Sequence, residues 1–358
     1  MQLHFVPIPD NPYAWDYTDP NGTIPTQPYD ELGKMSELLR ISYHLSGACG
    51  FIFSSTMLYL VLFKTTGALK PYGRMLLFCS ITDITYWAMD NLVQVKAKLT
   101  DGVFMARLEG PASYFEYDNQ AKAMALFVCA LALIHTILPA QYYFRYYAVT
   151  KSQQLSGIRT VIVYFLALSF AILMGWCAYV GYSISATVRP EYNYGVLWYR
   201  EVPLPKVLYA DIRNIYHKLY FFYSGALVTS CYVLLLLYAY KTLNHLKINS
   251  KMYSERTKSM QRQLSRALLI QSVLPIFTSI APILFICVPS FFYLDTGKLA
   301  MVCISITSWI PVFNPLLTIT VIKPYRRAIT TLLARKSVNP SNTRDDPSNN
   351  NDHNNVVL

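Results

Sequence analysis

Seven separate stretches of the chain are apolar enough and long enough to cross a membrane as helices. No other feature constrains the fold as tightly. They lie near 42–63, 74–95, 122–147, 158–182, 216–240, 264–292 and 299–322. A helix needs about 20 mostly apolar residues to span the hydrocarbon core. Lipid offers no hydrogen-bond partner to a bare backbone, so helices, which pair their own N–H and C=O groups, are the economical solution. The pattern predicts an all-α membrane protein, a seven-transmembrane helix bundle with its ends on opposite faces of the membrane.

Composition argues against a soluble alternative. Only 14% of the residues are charged and the mean hydropathy is positive, at +0.27, where soluble domains carry about a quarter charged residues. The runs Ala125–Leu138 and Val161–Ser185 contain no charge at all, although a buried helix of a soluble protein usually keeps a polar face. Pro7, Pro9, Asp10 and Pro12 precede any apolar run. The start therefore does not read as a cleaved signal peptide, and the first span is expected to act as its own insertion signal.

The net charge of +11 is distributed by side rather than gathered on one surface. With the N-terminus outside, the cytoplasmic segments and span ends hold 19 Lys and Arg against 12 outside, and four acids against fourteen. Basic residues are retained on the cytoplasmic side, so the N-terminus is expected outside and the C-terminus in the cytoplasm. The cations then face anionic inner-leaflet lipid, and nucleic acid is not an expected partner. The sequon Asn21-Gly22-Thr23 falls in the outer arm, which makes Asn21 a candidate glycosylation site.

This topology divides the chain into an extracellular arm (1–41), a transmembrane domain (42–330) and a cytoplasmic tail (331–358). From Ser337 the tail holds seven Asn and two Pro among 22 residues and is expected to be disordered. The larger outer connections fall near 96–121 and 183–215. All seven cysteines lie within spans; they read as packing residues, and the outer loops have no cysteine with which to form a disulfide.

Four groups of residues stand out. Span 2 carries Asp83, Trp87, Asp90 and Gln94 at i, i+4, i+7 and i+11, one face of a helix. An acid at mid-span costs roughly 2.5–3.5 kcal/mol on insertion scales, so both should point into the bundle. Asp83 is then a candidate mid-membrane switch and Asp90, with Trp87, part of an outward pocket; helix packing alone would also account for them. Span 6 places Gln271, Pro275, Thr278, Pro282 and Pro289 on one face. Each internal Pro removes a hydrogen bond and bends the helix, so Pro275 and Pro282 are candidate pivots and Thr278 a pocket candidate. The approach to span 6 repeats Lys258, Arg262 and Arg266 on one face, either a docking stripe for an acidic cytosolic partner or plain membrane anchoring. Span 3 ends in Tyr142-Tyr143-Phe144-Arg145-Tyr146-Tyr147, and span 7 carries Asn314-Pro315. Asn314 is placed either to bond a carbonyl freed by proline or to reach Asp83 across the bundle.

Enzyme signatures are missing. Of six histidines only His44 and His135 are read as intramembrane, without metal-binding spacing. No catalytic residue, metal site or cofactor is expected.

The combination resembles nematode serpentine chemoreceptors, in particular class delta within the larger Str-type superfamily. It rests on Phe144-Arg145-Tyr146-Tyr147, on the run Ser254–Pro275 leading to a Q-x-x-x-P span, on Asn314-Pro315 followed by Lys323-Pro324-Tyr325-Arg326, and on Leu76–Asp83 and Gly110-Pro111. The resemblance covers most of residues 42–330. It implies a G-protein-coupled receptor in the plasma membrane, in a sensory cilium of a chemosensory neuron, with a heterotrimeric G protein as partner. On that reading a small external molecule binds between the outer halves of spans 2, 3, 5, 6 and 7, capped by the outer loop that carries Trp198. A cytoplasmic cleft then opens near Arg145, Arg262 and Arg266. The alternative is a transporter that uses Asp83 and Asp90 as a cation or proton relay, and an intramembrane hydrolase is a third. The departures from the wider rhodopsin-like pattern are specific. Arg145 has no acid before it, and Asn314-Pro315-Leu316-Leu317-Thr318 lacks a Tyr.

Overall fold

The computed structural model describes residues 34–65, 70, 72–151, 153, 155–185, 188, 198, 207–248, 265, 269–270 and 272–337. Asn21, Lys258, Arg262, Arg266 and the tail beyond Ser337 lie outside them. Spans 1 to 5 are the helices Lys34–Lys64, Gly73–Val93, Tyr117–Lys151, Gly157–Ile184 and Ile215–Ile248. Span 6 is described over Ser272–Phe291. Span 7 is two helices, Leu299–Thr307 and Ile310–Val321, bent by 43° at their junction. A last helix, Lys323–Ser337, follows at the cytoplasmic end.

Five helices are long and apolar enough to cross a membrane on their own, and the bent pair makes a sixth. Span 2 takes the seventh position by packing. It is the shorter Gly73–Val93, with Asp83 and Asp90 inside it, and those two acids are what dilute its apolar signal. Span 1 begins at Lys34, eight residues before the expected boundary at 42. The last helix runs seven residues past 330, where the tail was expected to begin.

Span 3 is the axis of the bundle. It packs against spans 2, 4 and 5, and 72% of its apolar stretch is buried, against 11% for span 5. Phe165, Trp176, Phe222 and Leu236 on spans 4 and 5 point outward, as side chains in contact with lipid tails should. Lipid is as apolar as leucine, so helix association there depends on close fit and small residues rather than on hydrophobic burial. Gly175 supplies such a fit. A Cβ at that position would stand 2.7 Å from the Ala125 carbonyl oxygen and 3.0 Å from the Cys129 Cβ.

The outer connections are more ordered than loops. Three antiparallel strands, β1 (Val95–Thr100), β2 (Val103–Leu108) and β3 (Leu208–Asp211), form a sheet in that order. The first two make a hairpin with Thr100 opposite Val103. Its two-residue turn is Asp101-Gly102, both with positive φ (50° and 71°), the left-handed pair that matches strand twist. β3 belongs to the second outer loop and pairs with β2, with Val103 opposite Asp211. Arg213 closes the corner. It bonds the Asp101 carboxylate and the Asp211 carboxylate at 3.0 and 3.2 Å, and its guanidinium sits 4.6 Å from the centre of the Tyr293 ring. Partial burial would lower the Arg213 pKa, but its bonds to Asp101 and the charges of Asp211 and Asp101 outweigh this and hold it above the ordinary value. The Thr296 N–H bonds the Leu99 carbonyl at 3.1 Å, so the sheet also holds the turn between spans 6 and 7.

The contact at Gly175 generates an expectation. Gly175→Ala should destabilise the purified protein by about 1–3 kcal/mol through overpacking, lowering its apparent melting temperature in detergent. Gly225→Ala on span 5, where a Cβ meets nothing within 4 Å, should leave it unchanged or raise it.

Candidate functional site

Two polar seams run through the bundle, and each joins a pair of spans. The first joins spans 2 and 7. Asp83 accepts a bond from the Asn314 side-chain amide at 3.0 Å, and Asp90 accepts one from the Ser308 hydroxyl at 3.0 Å. Of the two roles open to Asn314 in the sequence, reaching Asp83 is the one observed. Between the acids, the Tyr86 hydroxyl donates to the Thr307 carbonyl at 3.1 Å. That carbonyl lies four residues before Pro311, which has no N–H to offer it. The Pro311 carbonyl is freed in the same way by Pro315, and the Ser54 hydroxyl of span 1 donates to it at 3.1 Å. The bend at Ser308 and Trp309 thus leaves two carbonyls without a helical N–H, and hydroxyls from spans 2 and 1 take them up.

The second seam joins spans 3 and 6. His135 Nε2 and Ser279 Oγ are 2.9 Å apart, Tyr142 Oη and Ser272 Oγ are 3.2 Å apart, and the Arg145 guanidinium donates to Ser265 Oγ. On span 6 the three serines recur every seven residues, two turns of a helix, so one edge faces span 3. Span 5 adds a bond from the Tyr232 hydroxyl to the Ser272 carbonyl at 3.0 Å. Arg145 is buried, 3% exposed, rather than reaching into the cytoplasm. Serine is common in membrane helices, so none of the three stands out singly in the sequence. Their seven-residue repeat was the available signal.

Between the second serine contact and the outer half, span 6 changes its winding. Ile276–Ile280 is a π-helical turn, with the Ala281 N–H bonded to the Ile276 carbonyl five residues back. Pro275 precedes it and Pro282 follows it. A missing N–H at Pro282 and the ring's clash with the preceding turn favour a wider coil there. Ser279 is inside this turn. Thr278, also inside it, is buried and donates to the Leu274 carbonyl at 3.1 Å.

The remaining candidates are not all brought together. Trp87 leans on span 1, its indole N–H donating to the Gly47 carbonyl at 2.8 Å and its ring 5.3 Å from that of Phe51. Trp198 lies in a separate apolar cluster with Leu39, Val103, Met105 and Met301 beneath the outer sheet. Gln94 does not continue the span 2 face. The helix ends at Val93, and Gln94 caps it with a φ of 43°.

Three cavities lie beside these groups. One of about 20 Å³ sits beside Asp83, Asn314, Gln141 and Pro275, room for about one water molecule. An outer cavity of about 560 Å³ is lined by polar groups including Glu37, Arg40, Arg107 and Glu109. A third, of about 380 Å³ and mostly apolar, lies among spans 3, 4, 5 and 6.

The family model for the serpentine type 7TM GPCR chemoreceptor Srd matches residues 39–331. The chain belongs to this family. Among curated relatives of this Srd chemoreceptor from Caenorhabditis elegans, serpentine receptor class delta-18 is 21% identical, covering 82% of this chain and 88% of that one. Serpentine receptor class r-10 is 23% identical, covering 79% and 88%. Serpentine receptor class delta-32 is 32% identical over 111 residues, about a third of each chain. The crystal structure of squid rhodopsin superposes with a TM-score of 0.60 over 90% of this chain and 92% of that one, at 13% identity. That likeness concerns the seven-helix fold.

The seam between spans 2 and 7 can be tested in this Srd receptor by a double-mutant cycle. Asn314→Ala leaves a buried carboxyl group without its donor and should cost about 1–3 kcal/mol. The pair Asp83→Ala and Asn314→Ala should show a coupling of roughly 0.5–3 kcal/mol in thermal unfolding. Strictly additive effects would dismiss the bond.

Proposed function

We propose that this receptor binds a small external molecule between its helices and passes the signal to a heterotrimeric G protein through a cytoplasmic cleft that span 6 opens. The observation that carries this reading is the seam between spans 3 and 6. Its bonds at Ser265 and Ser272 hold the cytoplasmic half of span 6 shut, its bond at Ser279 lies within the π turn between Pro275 and Pro282, and that turn is where the half can pivot. A ligand shifts such an equilibrium only by its differential affinity for the two arrangements. Releasing the seam frees Arg145 toward the cytoplasm. There it joins Lys258, Arg262 and Arg266 in a basic surface for the G protein. Asp83 and Asn314 hold spans 2 and 7 together as a fixed frame against which span 6 moves. Asn21 carries the glycan of the outer arm. The receptor acts at the plasma membrane, in a sensory cilium of a chemosensory neuron.

The transporter alternative has little to stand on. A relay through Asp83 and Asp90 needs a wet path, and the cavity beside Asp83 holds about one water molecule.

The decisive experiment is nucleotide exchange on a heterotrimeric G protein by the full-length receptor in lipid nanodiscs. Ser265→Ala removes the hydroxyl that holds Arg145. Losing one bond worth about 0.6 kcal/mol should raise basal exchange about threefold if the seam opposes opening. Unchanged or reduced basal exchange, with expression and melting temperature maintained, would sink the proposal that this seam is the closed state.

A further inference from the structure

The cavity among spans 3, 4, 5 and 6 has a wall missing on the lipid side. Span 5 packs on spans 3 and 4 but makes no comparable backbone contact with Ile276–Phe291 of span 6. The gap between them is closed at its two ends by side chains. At the outer end Phe291 meets Phe221 and Phe222, with ring centres 5.8 and 6.4 Å apart. At the inner end Tyr232 reaches the Ser272 carbonyl. Between these ends Leu284 and Val288 line the cavity and are each about half exposed, where a membrane would surround them. Gly225 lines it too, and a Cβ there would meet nothing within 4 Å.

Tyr220, Ser224 and Thr229 of span 5 are among its lining residues, and on the span 3 wall it is polar at one point. His135 lines the cavity, is 3% exposed, and uses Nε2 on Ser279. Its Nδ1 is buried without a hydrogen-bond partner. Buried polar atoms are seldom left so. No acid, lysine or arginine lines the cavity, so an ionic guest would find no counter-charge. The volume of about 380 Å³ falls within the range of about 300–1,000 Å³ usual for small-molecule sites.

We propose that this cavity is the recognition site for an uncharged, mainly apolar small molecule with one hydrogen-bonding group, which partitions into the bilayer, enters between spans 5 and 6 and bonds His135. The inference rests on the receptor reading and gives it a ligand class. It also gives a route to the pivot. Ile280 and Ile283 line the same cavity, and Ser279, the partner of His135, lies in the π turn. A guest that bonds His135 acts on the one contact of the seam that this turn contains. The site differs from the pocket expected from sequence, since Trp87, Asp90, Thr278 and Trp198 do not line it.

Cys287 lines the cavity and is part-exposed, which makes it a built-in reporter. The full-length receptor in phosphatidylcholine nanodiscs would be treated with N-ethylmaleimide, and the alkylation rate of Cys287 followed by mass spectrometry of its peptide. The probes are straight-chain ketones and alcohols of six, eight and ten carbons, each beside the alkane of equal length. At ten times its dissociation constant a bound probe should slow alkylation about elevenfold. At least one ketone or alcohol should protect better than its alkane, and His135→Leu should erase that difference. Gly225→Phe should fill the cavity, slow alkylation without any probe and leave nothing for a probe to add. Equal protection by alkane and oxygenated probe would make the cavity a slot for lipid acyl chains and overturn the proposal. Absence of protection by every probe would do the same. Protection needs no G protein, so protection without nucleotide exchange keeps the site and removes the receptor reading. Probe-driven exchange that survives Gly225→Phe keeps that reading and removes the site.

Discussion

A proline inside a membrane helix leaves a carbonyl with no partner in a medium that offers none, and the architecture around span 7 answers that demand. Pro311 and Pro315 free the carbonyls of Thr307 and Pro311. Hydroxyls of Tyr86 on span 2 and Ser54 on span 1 take them up. The same bend presents Ser308 to Asp90 and sets Asn314 within reach of Asp83. One local defect thus specifies how three spans must sit relative to one another. The two acids, costly in lipid, are placed where that defect supplies their donors. An arrangement in which span 2 rotated by a quarter turn would leave both carboxyl groups and a backbone carbonyl unpaired together. Spans 1, 2 and 7 therefore make the rigid side of the bundle.

The outer face meets a different constraint. Two long loops have to be held over the bundle with no cysteine outside the spans; all seven are free thiols within helices. Backbone pairing does the work instead. β3 brings the second loop onto the hairpin of the first, and Arg213 ties the hairpin turn to the strand that crosses it. The pairing extends beyond the loops themselves, because Leu99 also accepts from the turn between spans 6 and 7. A sheet fixes register residue by residue, where a single disulfide would fix one point, and it leaves Trp198 a small apolar core of its own to fill.

How much of this could be read from the sequence depends on the range of the interaction. The spans are local patterns of about 20 residues, so their number and direction were legible, as was the inward face of Asp83 and Asp90. The Asn314–Asp83 contact was legible as one of two options, because a single helix face narrows partners without choosing among them. The sheet was missed although its turn was visible. Asp101-Gly102 between Thr100 and Val103 is a strong hairpin signal, but the segment also carries Lys96 and Lys98 and was read only as an outer connection. Both lysines are in fact buried, and Lys96 pairs with Glu109 at 3.2 Å. β3 pairs across about a hundred residues, and no local pattern announces that. Trp87 was assigned to a pocket by its face alone. Which neighbour it meets depends on how closely span 1 approaches at Gly47 and Gly50, a tertiary fact.

Span 6 carries two seven-residue repeats, and their offset explains why it suits a moving part. Serines at 265, 272 and 279 bond span 3, and prolines follow at 275, 282 and 289. The prolines weaken the helix's own ladder just outward of Ser272 and Ser279, so the rungs that fasten the helix alternate with the places where it bends easily. Each rung is a bond between neutral hydroxyl or imidazole groups, or from Arg145 to a hydroxyl, and bonds of this kind between membrane helices average only about 0.6 kcal/mol. Spans 2 and 7, by contrast, are joined by carboxyl groups and proline-freed carbonyls, whose loss leaves buried groups unpaired. The bundle is therefore strong along one seam and weak along the other, and the weak seam is the one that contains a π turn and borders a cavity open to lipid. A molecule of modest affinity has enough free energy to reset contacts worth a few tenths of a kcal/mol each, and it would not suffice to part spans 2 and 7.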